Sequence, residues 1–134
     1  MRTTAAIGSM VPLFIMLLIA PARAEPAAAK PIAKGQRTFT AGNSFHWWIP
    51  AILAQMAVDA GFKDHLHFGV SAIGSSRVIQ HWELPEDKNP VKKALRKDKI
   101  DVLTLCGMYP PDEGVEKFVR LGLEHNRNFR VTVL

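Results

Sequence analysis

Thr38-Phe39-Thr40-Ala41-Gly42-Asn43-Ser44-Phe45 is the stretch whose reading decides the fold. Thr38 to Ala41 is rich in the residue types that favour a strand, and it runs into Gly42-Asn43-Ser44. Gly, Asn and Ser all favour turns. Trp47, Trp48 and Pro50 follow, and an apolar-periodic segment begins at Pro50. A serine on a tight turn between a first strand and a first helix occupies the position where a layered α/β enzyme presents a nucleophile. The competing reading is a polar turn with no chemistry.

Downstream, the apolar residues change period. Ile52, Leu53, Met56, Ala57 and Ala60 recur at helical spacing, and Gly61 is a fitting stop. Pro50 suits a first helical turn. Leu66, Phe68, Val70 and Ala72 then alternate with His65, His67, Gly69 and Ser71, which is a strand. It empties into Gly74-Ser75-Ser76. Arg77 to Asn89 has no regular period. Asn89 reads as an N-cap before Pro90, with Val91, Ala94 and Leu95 on the buried side. Ile100 to Leu105 is nearly continuous in apolar residues and suits a central parallel strand. Cys106 to Pro111 is a loop. Asp112 or Pro111 opens a helix that Asn126 ends, and Phe129, Val131 and Val133 alternate in a last strand.

Strand, helix, strand, helix, strand, helix, strand predicts an α/β fold with a mostly parallel sheet in a three-layer α/β/α arrangement. Ligands of such sheets bind outside the carboxyl ends of the strands. Three loops meet there: Gly42–Trp48, Ile73–Arg77 and Cys106–Pro111. The fourth strand runs to the last residue, so the reading expects a domain truncated after its fourth strand.

The amino terminus reads differently. Arg2 precedes an apolar core between Met10 and Ala20, and Ala22-Arg23-Ala24 is a small-x-small cleavage pattern. Residues 1–24 are expected to be a secretory signal peptide, and the apolar run is short for a membrane span of about 20 residues. Residues 25–36, rich in Ala, Lys and Pro, are expected to form a flexible leader, and residues 37–134 the domain. The protein is therefore expected to be exported, to the periplasm or beyond, without a stable membrane anchor.

The formal net charge is +5, but two of the cations, Arg2 and Arg23, lie in the segment expected to be removed. Lys92, Lys93, Arg96, Lys97 and Lys99 form the one basic cluster and read as a solvated helix face, not a nucleic-acid patch. The single cysteine, Cys106, excludes an internal disulfide, so packing must hold the fold. No cofactor is expected. No metal site is expected either: the five histidines do not cluster at ligand spacing, apart from His65 and His67 on one strand face.

Several segments together resemble the SGNH (GDSL-type) hydrolases, and more narrowly a set of secreted bacterial members. They are Gly42-Asn43-Ser44-Phe45, Gly74-Ser75-Ser76, Asp101-Val102-Leu103-Thr104-Leu105, the tract from Pro111 to Lys117, and Glu124-His125-Asn126, in order over Thr38 to Leu134. The resemblance implies an SGNH/flavodoxin-like sheet and a serine esterase. Its substrate would be a small ester or an acetylated carbohydrate, deacylated through an acyl-Ser44 intermediate. It implies Ser44 as nucleophile and the backbone N–H groups of Ser44 and Gly74 as oxyanion donors. The family's third donor is an Asn in a Gly-x-Asn segment. Here Cys106-Gly107-Met108 holds that place, leaving only the Gly107 backbone.

The family's general base lies in an Asp-x-x-His motif near the C-terminus. Asp64-His65-Leu66-His67 has the spacing but enters the second strand at its amino end, a strand length from Ser44. His125 fails for the same reason. His46 and His81 remain near the correct edge, with nothing to mark either as the base. Cys106 reads as a buried thiol. A serine without a base is a poor nucleophile, so this chain is expected to be inactive or weak. The alternative function is a secreted, non-catalytic α/β domain that holds an apolar or sugar ligand with Trp47, Trp48 and Trp82. Its discriminating sign is a folded, soluble, monomeric product of the mature chain, whereas aggregation would favour truncation, since an exposed fourth strand is a sticky edge.

Overall fold

A computed structural model describes residues 32–97, 99–107 and 109–134. The expected signal peptide, residues 1–24, lies outside the described residues, as does most of the expected leader.

Four strands, β1 (Arg37–Gly42), β2 (Leu66–Ala72), β3 (Val102–Leu105) and β4 (Arg130–Val133), form one sheet in the order β2-β1-β3-β4. Every pairing is parallel. Helix α1 (Ile49–Asp59) joins β1 to β2, and α4 (Glu113–His125) joins β3 to β4. The connection from β2 to β3 carries α2 (Val78–Trp82), a 3-10 turn (Glu86–Lys88) and α3 (Pro90–Lys97). The expected α/β architecture with a parallel sheet is what the chain forms. The irregular stretch after Arg77 contains one element the apolar pattern did not announce, α2. Five residues are too few to show a helical period.

Alternation along β1 and β3 separates the two faces of the sheet. Phe39 and Ala41 pair with Leu103 and Leu105 and face α2, α3 and α4. There they join Val78, Val91, Leu95, Phe118 and Phe129 in one buried core. Phe118 has no solvent exposure, and the Trp82 ring meets its edge at 5.1 Å and 75°. The Lys92 ammonium sits over that indole, 4.3 Å from its ring centroid, a cation–π contact.

The opposite face carries Thr38, Thr40, Val102, Thr104 and Thr132 and is flanked by α1. Among the described residues this side is thinly covered. Of the apolar stripe expected on α1, only Ala57 is buried with Pro50. Ile52, Met56 and Ala60 are exposed. The helix is apolar on nearly all sides, and one sheet face cannot cover it all.

Strand β2 also departs from its simple alternation. The register slips between Thr38, which pairs with His67, and Thr40, which pairs with Val70. This β-bulge turns Ser71 inward, whereas Leu66, Phe68 and Val70 are exposed. Gly69 stands at the bulge with φ of +155°, and a Cβ there would meet the Phe39 ring at 3.1 Å.

The last residues of the expected flexible leader are part of the fold. Gly35 donates its N–H to Asp64 Oδ1 at 2.8 Å, and Gln36 N–H reaches His65 Nδ1 at 3.4 Å. An ordered edge begins there because the Asp64 carboxylate supplies the acceptor the backbone needs.

Two acidic side chains tie distant segments. Asp101 receives the Arg37 N–H at 2.9 Å, the Arg37 guanidinium at 2.9 and 3.1 Å, and the Asn126 amide at 3.1 Å. Asp112 caps α4 through Gly114 N–H and also accepts from Val78 and Ile79 N–H at the start of α2.

Candidate functional site

The strand order reverses at β1, with β2 on one side and β3 on the other, and in sheets of this kind the ligand crevice lies outside the carboxyl ends of the strands at such a reversal. Ser44 stands at that edge. β1 ends at Gly42, and Asn43 builds the turn. Its carbonyl accepts from His46 N–H at 3.0 Å and Trp47 N–H at 3.2 Å. Its side-chain Oδ1 accepts from Phe45 N–H at 3.0 Å, an Asx turn, and from the Cys106 thiol at 3.5 Å. Its amide donates to the Ser76 carbonyl at 3.3 Å. Asn43 is fully buried and held on three sides, whereas Ser44 is exposed.

The second loop lies alongside the first. Gly42 pairs with Ala72, and Ile73 N–H donates to the Gly42 carbonyl at 3.1 Å, carrying the ladder past the strand ends. Gly74 follows, exposed. Among the described residues, no group accepts a hydrogen bond from the backbone N–H of Ser44 or of Gly74. Both donors are open to an incoming acceptor.

Gly107 does not join them. Its N–H donates to the Leu134 carbonyl at 3.0 Å, and Val133 packs within 2.9 Å of where its Cβ would stand. The third expected donor is spent on the sheet. Loop spacing alone could not show that β4 would reach it.

The histidines sort by position. Thr38 pairs with His67 at the amino ends of the strands, and the Thr38 hydroxyl bonds His67 Nδ1 at 3.1 Å. Asp64 and His67 therefore sit at the opposite end from Ser44, as does His125, the last residue of α4. His81 is near the right edge, but both its nitrogens are occupied. The hydroxyls of Ser71 and Ser76 bond Nδ1 and Nε2, each at 2.8 Å. Burial lowers its pKa to about 4, against a weak upward pull from Asp112, so the ring is neutral. His46 is buried two residues from Ser44, its pKa also lowered by burial, and its Nε2 has no partner among the described residues. No imidazole among the described residues is hydrogen-bonded to Ser44.

The aromatic residues divide too. Phe45, Trp47 and Trp48 are 70%, 49% and 53% exposed on the turn that carries Ser44, and Tyr109 is exposed on the loop after β3. Both loops follow the carboxyl ends of strands, β1 and β3. Trp82 does not belong with them: it packs against the core, in contact with Phe118 and Lys92. Its place in the alternative ligand platform is withdrawn.

Two roles were not visible from residue types alone. Asn43 braces the turn through its side chain, and Ser76 links both the Asn43 amide and His81. The Asn-Ser-Phe order is a fair signal for an Asx turn. Nothing local signals the Ser71–His81–Ser76 chain, because the β2 bulge creates it. Among the described residues, no three His, Cys, Asp or Glu side chains gather as a metal cluster. Nor is any described helix long and apolar enough to cross a membrane.

No protein-family model, curated protein or solved structure matches this chain. Its chemistry is read from the site itself.

Proposed function

We propose that the chain carries the nucleophile side of a serine esterase of the SGNH type, exported from the cell and acting on a small ester or an acetylated carbohydrate. The observation that carries the reading is exposed Ser44 on a braced turn, with the N–H groups of Ser44 and of Gly74, on the adjoining loop, unpaired among the described residues. Attack by Ser44 Oγ on an ester carbonyl breaks the carbonyl π bond and places negative charge on its oxygen. Two preorganised donors stabilise that charge, and in other hydrolases the loss of one costs about 3–4 kcal/mol. Collapse expels the alcohol and leaves acyl-Ser44, which water then cleaves. A base must take the serine proton in the first step, and the described residues place none against Ser44. Turnover by this chain is therefore expected to be slow.

The test is site selectivity, not rate. Prolonged treatment with a fluorophosphonate, followed by peptide mass analysis, should place the adduct on Ser44 and spare Ser71, Ser75 and Ser76. An adduct spread over several serines, or none at Ser44, would sink the reading.

A second reading keeps the crevice without catalysis. Trp47 and Trp48, half exposed beside Ser44, favour a site that stacks on an apolar or sugar ligand. Quenching of their fluorescence by a saccharide, unchanged in Ser44→Ala and with no Ser44 adduct, would support it.

A further inference from the structure

The face of the sheet opposite the main core holds an apolar groove of about 480 Å³, a volume within the range of small-molecule sites. Leu53 and Met56 of α1 line it together with Val102, Leu134 and Phe62. Thr38, Thr104 and Thr132 also line it, and the hydroxyls of Thr38 and Thr104 are turned to internal partners. Thr40 and Thr104 bond each other at 2.8 Å, and Thr38 bonds the Leu66 carbonyl and His67. Helix α1 has eleven residues, so the groove alongside it is about 16 Å long.

Among the described residues, the one Lys, Arg, Asp or Glu side chain that lines this groove is Lys34. It lies at the amino ends of β1 and β2, where Gly35 and Gln36 are fixed to Asp64 and His65. It is exposed, so its ammonium meets a ligand without leaving water. An elongated apolar trough with a single hydrated cation at one end complements a molecule with one anionic head and one long apolar tail.

We propose that this groove binds a long-chain monocarboxylate, its tail along α1 and its carboxylate at Lys34. Lys34 stands at the opposite ends of the strands from Ser44, no residue of the Gly42–Trp48 turn lines the groove, and the proposal does not depend on the esterase reading.

Sodium dodecanoate, below its micelle concentration, is titrated into the folded chain and followed by calorimetry and by the Met56 methyl resonance. One saturable site is expected, with the Met56 signal shifting in step. Dodecanol should bind more weakly, since it has no charge to pair. Lys34→Glu and Met56→Asp alter exposed side chains and should leave the fold intact, which circular dichroism checks; each should weaken dodecanoate roughly tenfold or more. No saturable binding overturns the proposal. So does binding that both variants leave unchanged, which would put the ligand elsewhere, such as the Phe45–Trp48 rim. Equal affinity for dodecanol and dodecanoate would overturn the assigned head group. A dimer that Met56→Asp dissociates would show that a second copy covers the groove, and would also overturn it.

Discussion

The Asn43 side-chain amide donates to the Ser76 carbonyl at 3.3 Å, tying the turn that bears Ser44 to the loop that bears Gly74. The two loops come from neighbouring strands and share no local sequence. With the backbone bond from Ile73 N–H to the Gly42 carbonyl, this buried amide holds the loop of the candidate nucleophile against that of the candidate oxyanion donor.

Asn43→Ala removes that tie and the acceptor for Phe45 N–H. It leaves buried polar groups unpaired, at a cost of about 1–3 kcal/mol. Urea denaturation should show the loss, and labelling of Ser44 should fall with it. Ser44→Ala, at an exposed position, should change stability by no more than about 0.5 kcal/mol. The pair of variants separates scaffold from chemistry.

Gly42→Ala tests the close approach beneath the same turn. A Cβ at Gly42 would stand 2.8 Å from His46 Cβ and 2.9 Å from Cys106 Cβ. Neither neighbour is the free end of a flexible side chain, so the backbone must yield. A loss of about 1–3 kcal/mol is expected, the usual range for overpacking. Unchanged thermal stability would show that the turn has slack.

His81 makes stability depend on pH. Its folded pKa, about 4, lies below the ordinary histidine value, so the unfolded chain takes up a proton that the folded chain refuses. Its contribution is full above about pH 6.5 and is lost as pH falls toward 4. The whole effect is of the order of 3 kcal/mol. Burial shifts His46 and His67 the same way and adds to the slope. In His81→Gln, denaturation measured between pH 4 and 7 should show a slope smaller by up to one proton. An identical slope would mean that the Ser71–His81–Ser76 chain opens to water.

Asp101 acts at lower pH. Hydrogen bonding from the Arg37 guanidinium, then from the Arg37 N–H and the Asn126 amide, holds its pKa at about 2. A depressed carboxylate stabilises above its unfolded value and loses that contribution as pH falls through about 2. Solvent reaches Arg37, so the discounted worth of the pair is about 1–2 kcal/mol. Asp101→Asn should lose that much at pH 7, and the gap to the parent should close in strong acid.

Much of this molecule is legible in its residues taken in order. Short runs of period two and period 3.6 alternate, and that alternation suffices for parallel strands joined by helices. Gly42-Asn43-Ser44 is readable as a turn because those residue types favour turns wherever they occur. Asn89 and Asp112 are readable as helix starts for the same local reason.

What the tertiary structure alone decided is where each polar group spends its hydrogen bonds. Gly107 has an amide like any other until β4 brings the Leu134 carbonyl to it. His81 looks available beside the crevice until the β2 bulge turns Ser71 inward and both ring nitrogens are taken. The α1 stripe reads as buried, yet much of it faces an open groove, since periodicity names an apolar side and not the element that covers it. Local propensity depends on a few neighbouring residues. Partnership depends on register and packing between segments tens of residues apart, and that information exists only once the chain has closed on itself.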